Sequence, residues 1–339
     1  MSKMWNEKCF IIAEAGVNHN GEVNKAFELI DAALEAKVDA VKFQTFQADA
    51  LVSKSAQMAE YQMNNLGYSD SQYKMLKKLE LPISVLYELK EYAEKKGLLW
   101  FSTAFDTQSI NFLKEMNIAV WKIPSGEITN LPYLQKIAKI DKPIILSTGM
   151  ANLSEIEAAL QVFLDAGRMR EEICILHCNT EYPTPWHDVN LRAMPVLGST
   201  FGTEFGYSDH TNGIEIPIAA VAMGAKVIEK HFTLDKSLPG PDHKASLEPQ
   251  ELKSMVDSIR NIEKALGGTV KQPSPSELKN KPIARKSIVA SGDIKVGDTI
   301  TEALMATMRP GDGISPMHWH EVIGMTASRD YVAGDKIEW

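Results

Sequence analysis

The sequence has few cysteines, only Cys9, Cys174 and Cys178, and no C-x-x-C pair. That odd set excludes a disulfide framework and a thiolate zinc site, and reads as buried, reduced thiols. It lacks a long apolar run: the stretch ahead of Glu14 is too short for a signal peptide or a membrane span. It also lacks a basic tract. Lys and Arg number 36 against 44 Asp and Glu, a net charge of −8, which argues against a nucleic-acid partner. An anionic substrate would therefore need locally placed lysine or arginine. No G-x-G-x-x-G follows the first strand candidate, which weakens a dinucleotide site. The expectation is a soluble, cytoplasmic protein with neither membrane nor nucleic acid as partner.

What is present is a large globular composition, 44% hydrophobic and 24% charged over 339 residues. This is enough for one barrel and a small appendage. Short apolar runs at 9–13, 40–43, 98–102, 119–123, 143–146, 173–176, 202–207 and 225–228 read as strands. Segments with helical spacing follow nearly all of them: 23–36, 84–96, 107–117, 131–140, 154–166, 189–197, 211–225 and 249–266. Eight such repeats predict an α/β fold, a (β/α)8 TIM barrel over residues 1–268, in preference to a doubly wound open sheet. The long polar segment 48–81 interrupts the alternation and reads as an inserted loop or lid. Residues 269–286 read as a Pro-rich polar linker. Residues 287–339 read as a small β-rich module, in which 293–300 and 330–337 share the pattern D-x-x-x-G-D-x-I, suggesting two similar hairpins.

In a barrel the chemistry sits at the carboxyl ends of the strands. The residues there are Glu14, Lys42 and Gln44, Thr103, Lys122 and Ser125, Ser147, Tyr182, Ser208 and His210, and Lys230 and His231. Hydroxyls with lysines among them suit an anionic, phosphate-bearing ligand. His210 and His231 end successive strands joined by a helix, so they should emerge at one rim. There, near Asp209 and Asp242, they could hold a divalent metal, or instead orient loops through hydrogen bonds. In the tail, Arg309 precedes Pro-Gly and so occupies a defined turn, from which it could meet a phosphate or carboxylate.

The motifs EAGVNHNG, VKFQTF, FSTAFD, WKIPSGEITNLP, ILSTGM, LHCNTEYPTP, YSDHT, IEKHFTLD, GPDHKAS and RPGDGISP occur in this order. Together they closely resemble the bacterial sialic acid synthase family. The match runs from about Phe10 to the C-terminus, and the tail resembles that family's antifreeze-like (SAF) domain. The resemblance implies condensation of phosphoenolpyruvate with an N-acetylated hexose and water, giving a nine-carbon sialic-type acid and phosphate by C–O cleavage. It implies a divalent metal on His210 and His231, manganese foremost, with magnesium or cobalt as alternatives.

The resemblance makes Glu14 the active-site carboxylate. Asp242 joins Glu14 and the two histidines as catalytic, and also faces the sugar. Lys42, Thr103, Lys122, Ser125, Ser147, Thr180 and Ser208 match positions that bind phosphoenolpyruvate. Gln44, Tyr182, Asp242 and Arg309 match the sugar side. It implies a domain-swapped homodimer in which Arg309 enters the partner's barrel. N-acetylmannosamine leads as substrate, giving N-acetylneuraminate. N,N′-diacetyllegionaminate, made from 2,4-diacetamido-2,4,6-trideoxymannose, is the near alternative, with pseudaminate less similar. A Schiff-base aldolase using Lys122 is a more distant reading, and a non-catalytic sugar- or ice-binding protein leaves the strand-end residues without a purpose.

Overall fold

The computed structural model describes Trp5, residues 8–67 and residues 70–339. The other residues of the N-terminal stretch, and Tyr68 and Ser69 of the inserted segment, lie outside the described residues. The chain divides into two compact units, Met1–Gly267 and Gly268–Trp339.

In the first unit, β1 (Phe10–Gly16), α1 (Val23–Glu35) and β2 (Ala40–Thr45) come first. The inserted segment then holds three short helices, α2 (Ala48–Leu51), α3 (Glu60–Leu66) and α4 (Gln72–Leu79). Next are α5 (Ile83–Lys95), β3 (Leu99–Ala104), α6 (Thr107–Glu115), β4 (Trp121–Ile123), α7 (Leu131–Ala138) and β5 (Ile144–Ser147). The unit finishes with α8 (Leu153–Asp165), β6 (Ile173–Cys178), α9 (Ala193–Phe201), β7 (Glu204–Asp209), α10 (Glu215–Ala222), β8 (Val227–His231) and α11 (Pro249–Leu266).

The eight strands form one sheet in the order β3-β2-β1-β8-β7-β6-β5-β4. Its end strands β3 and β4 lie against each other, so the sheet closes into the expected barrel. Helices cover the outside and side chains fill the inside, so the strands are buried on both faces and read as near-continuous apolar runs. The helices show why they dock. In α1, Ala26, Leu29, Ile30 and Ala33 recur at helical spacing and are fully buried. In α8, Asn152 and Glu155 form a reciprocal capping box that fixes the start.

The inserted segment differs from the expected loop. Its three helices pack Met75 and Leu79 with Val17, Phe46 and Met58 into an apolar cluster separate from the barrel core. Helices of one or two turns carry too few periods to be read from sequence, and packing rather than propensity holds them.

The second unit opens with α12 (Pro275–Ala284), inside the stretch read as a linker. An internal proline, Pro282, concealed this helix. Its start was nonetheless signalled: Ser274 and Glu277 form a capping box, with Pro275 at the first helical position. Beyond it, β9 (Ser287–Ala290) pairs antiparallel with β10 (Met305–Met308). The two D-x-x-x-G-D-x-I segments do not form separate hairpins. They face one another, bridged at the same pattern position by Ile294 and Tyr331, each of which donates its N–H to the other's carbonyl at 2.9 Å. Ile300 and Ile337 are both buried. Asp298 and Asp335 each accept from the backbone N–H three residues earlier, of Lys295 and Val332. Gly297 and Gly334 have φ of +90° and +91°, a region that side chains disfavour.

This pseudo-symmetry predicts matched penalties. Gly297→Ala and Gly334→Ala should each destabilise the module by about 1–3 kcal/mol, the cost of a strained backbone conformation. Calorimetry on the full chain checks this, and a large difference between the two variants would mean the two turns are not equivalent.

Candidate active site

Alternation along the strands decides what enters the barrel mouth. Glu14 of β1 lies in register with Lys42 of β2 on one side and His231 of β8 on the other. Gln44 is level with Thr103 of β3, and Ser208 of β7 is level with Glu229 of β8. These residues line a cavity of about 430 Å³ at the carboxyl ends of the strands. Lys122, Ser125, Ser147, Thr180, Tyr182 and His210 line it too.

Charges of alternating sign cross the floor of this cavity. The Lys42 ammonium lies 2.5 Å from Glu14 and 3.6 Å from Glu229, and donates to Thr103 Oγ1 at 2.9 Å. Lys122 lies 2.9 Å from Glu229 Oε1, which also accepts from Ser208 Oγ at 2.8 Å. Gln44 donates to the other oxygen of Glu14 at 3.2 Å. All four charged groups are almost fully buried.

The two carboxylates diverge. Burial pushes Glu14 up to about 7 and outweighs Lys42 beside it, with Glu229 adding to the rise. Burial would raise Glu229 as well, but Lys122 and Lys42 together hold it well below the usual carboxylate range. Lys42 moves upward: burial opposes its charge, and Glu14 and Glu229 more than offset that. Lys122 is tied up by the Glu229 carboxylate, and nothing in its surroundings marks it as a Schiff-base lysine.

The two imidazoles meet at one rim, with ring centroids 5.3 Å apart. Tyr182 stacks on His210 at 4.0 Å and stands edge-on to His231 at 5.5 Å. His210 Nδ1 lies 2.5 Å from the carbonyl oxygen of Asn179, so Nδ1 carries the proton and Nε2 presents a lone pair. Burial lowers His210 to about 4. Burial, then the neighbouring His210, holds His231 well below the usual imidazole range. His231 Nδ1 is buried without a hydrogen-bond partner and lies 3.9 Å from Asp242 Oδ2. Two unprotonated imidazoles, one with an orphaned nitrogen, fit a divalent cation that takes two ligands from protein and keeps its other positions open. Among the described residues no group of three or more His, Cys, Asp or Glu side chains is placed to hold a metal.

Two placements differ from expectation, those of the Asp209–Lys230 pair and of Asp242, while Arg309 stays in the tail as expected. Asp209 and Lys230 point away from the mouth: they form a fully buried ion pair at 2.6 Å, and Asp209 also binds Thr211. Each adjoins an inward residue, so strand alternation sends it outward. Asp242 lines an adjoining recess rather than the main cavity, and burial raises its carboxyl to about 7. Arg309 belongs to the second unit, where it is exposed and its Nε donates to the Ala284 carbonyl at 3.0 Å.

Sequence reasoning missed Glu229, the carboxylate that ties the two lysines together. Its signal was present: it stands two residues before His231 on one strand and therefore shares its face. Tyr61 was missed as well. It comes from the inserted segment, lines the cavity and stacks on Tyr182 at 5.1 Å. Asn65 of the same segment donates to the carbonyls of Tyr182 and Pro241 at 3.2 and 2.7 Å, tying the insertion to the loops that carry Tyr182 and Asp242.

Comparison with known proteins gives a consistent picture. The model of the NeuB family matches residues 29–271, and that of the SAF domain matches residues 285–339. The chain is 53% identical to an N,N′-diacetyllegionaminic acid synthase of Campylobacter jejuni, over 96% of this chain and 97% of that one. It is 48% identical to one of Legionella pneumophila, over 98% and 94%. The solved structure of a sialic acid synthetase from Leptospira borgpetersenii superposes with a TM-score of 0.71 at 38% identity, covering 81% of this chain and 90% of that one.

The ion row is cooperative, and a double-mutant cycle should show it. Lys122→Ala leaves Glu229 buried with only the more distant Lys42 and should cost roughly 3–5 kcal/mol. The pair Lys122→Ala with Glu229→Gln should cost less than the sum of the single changes. Urea unfolding measures each, and strict additivity would contradict the coupling.

Proposed function

The chain belongs to the NeuB family, and on that premise we propose that it condenses phosphoenolpyruvate with 2,4-diacetamido-2,4,6-trideoxymannose and water, giving N,N′-diacetyllegionaminate and phosphate. N-acetylmannosamine, first in the sequence reading, becomes the second candidate within the same family. The relatives at 53% and 48% identity are legionaminic acid synthases, whereas the sialic acid synthetase stands at 38%. The observation that carries the chemistry is the buried Glu14–Lys42–Glu229–Lys122 row beside two buried imidazoles whose rings lie 5.3 Å apart.

His210 and His231 would hold the divalent cation, manganese foremost. When bound, it supplies a Lewis acid toward a sugar aldehyde oxygen. Lys42 and Lys122, with the hydroxyls of Thr103, Ser125, Ser147, Thr180 and Ser208, receive the phosphate and carboxylate of phosphoenolpyruvate as point charges and donors. Ser147 Oγ, buried and without a partner, is available for such a contact. C3 of phosphoenolpyruvate adds to the aldehyde carbon, and positive charge develops at C2. Glu14, which can exchange a proton near neutrality, stabilises that charge and takes the proton of the water that adds there. Glu229 remains an anion and keeps both lysines in place. The tetrahedral adduct expels phosphate through C–O cleavage. Gln44, Tyr182 and Asp242 hold the sugar hydroxyls. Arg309 of a second copy completes the sugar side in a domain-swapped homodimer, a reading supported by its exposure at a fixed turn. The protein acts in the cytoplasm, where phosphoenolpyruvate is available; no described helix is long and apolar enough to cross a membrane.

Phosphate release with phosphoenolpyruvate, each sugar and manganese tests this reading. The diacetamido sugar should give the higher kcat/KM, and chelation should stop turnover. His210→Ala and His231→Ala should each lose metal and at least about a hundredfold in rate. Full turnover by the double variant would overturn the metal assignment. Deletion of residues 287–339 should abolish synthesis, and normal turnover by the remaining barrel would overturn completion by a second copy.

A further inference from the structure

Beside the main cavity lies a recess of about 270 Å³ with a mixed lining, in which Gln44, Gln62, Gln72 and Asp242 stand among apolar side chains. Its far wall is Leu51 and Val52 at the end of α2 and Met75, Leu76 and Leu79 of α4. The two spaces adjoin and share Gln44, Tyr61, Phe105 and Tyr182 in their linings. Asp242, placed 3.9 Å from His231, stands on the recess side of that boundary. A sugar whose aldehyde lies at the histidines and whose chain runs past Tyr182 and Asp242 would reach the recess.

We infer that this recess, built by the inserted helices, receives the distal C4–C6 end of the sugar and selects a 6-deoxy, 4-acetamido substrate. This rests on the synthase reading above and names the part of the molecule that sets its substrate. The chemistry matches in two ways. Relative to N-acetylmannosamine, that sugar replaces the 6-hydroxyl by hydrogen, which leaves a methyl group, and adds a second acetyl methyl. A hydroxyl directed at Leu76 and Leu79 would lose its water without finding a partner, whereas a methyl group loses nothing. The acetamido group needs a polar handle, and Gln72, half-buried among Leu76 and Met75 in the recess lining, can supply one. The far wall of the recess comes from the insertion after β2, whereas Gln44, Phe105 and Tyr182 at the barrel mouth form its near side. Selection of the sugar is thereby separated from the residues that carry out condensation.

The test uses the full-length protein with manganese, phosphoenolpyruvate and either sugar. Leu76→Trp fills the recess and should lower kcat/KM for the diacetamido sugar by about tenfold or more, the size of effect a few carbon atoms in an apolar pocket can give. KM for phosphoenolpyruvate and kcat/KM for N-acetylmannosamine should each change by less than about threefold. Gln72→Ala should weaken the diacetamido sugar alone, without altering the melting temperature. Direct titration of each sugar onto wild type and variants runs in parallel. If wild type releases no phosphate with either sugar, the synthase reading fails. Loss of diacetamido-sugar binding on filling the recess would still uphold the subsite. Equal losses for both sugars, or undiminished binding of the diacetamido sugar by Leu76→Trp, would overturn it.

Discussion

The site depends on one constraint: four charges placed inside a barrel must neutralise one another. A lone ammonium or carboxylate there would carry a desolvation penalty of several kcal/mol. Lys42 between Glu14 and Glu229, and Glu229 between Lys42 and Lys122, meet the constraint without any surface counter-ion. The arrangement also sorts the carboxylates. Glu229 touches two lysines and stays ionised, while Glu14 has one and can carry a proton near pH 7. Two like groups acquire different roles through their neighbours alone. Both lysines are held in place by carboxylates before any substrate arrives, which preorganises the site for an anion.

The barrel imposes this order through its periods. Each strand sends every second side chain inward, and parallel register sets residues of neighbouring strands level. Glu14, Lys42 and His231 meet because β1 lies between β2 and β8. The same rule sends Asp209 and Lys230 outward. There they pair with each other in full burial, so the outer face of β7 and β8 solves the same charge problem separately.

The inserted helices add a second layer of organisation. Their apolar cluster is distinct from the barrel core, and Asn65 fastens them to the loops that carry Tyr182 and Asp242. The barrel presents reactive groups, and the insertion shapes the space a sugar can occupy. Loops on a rigid scaffold can change one property without disturbing the other.

The sequence by itself determined the barrel, because eight apolar runs alternating with helical periods permit few other folds. It also determined that His210 and His231 share a rim, since a strand, a helix and a parallel strand return the chain to the same end. The echoed segments near Gly297 and Gly334 were visible as a repeat. Tertiary structure alone decided which strand-end residues enter the cavity. A shift of one residue reverses a side chain's face, and strand boundaries cannot be read that finely from sequence. It decided that Glu229 links the lysines, because that contact joins β8 to β4 and β2, which are distant in sequence. It decided the helices of the insertion, which are too short to hold their shape without the cluster they bury. Local periodicity thus specified the scaffold, while contacts between remote residues specified the charges and the space in which they act.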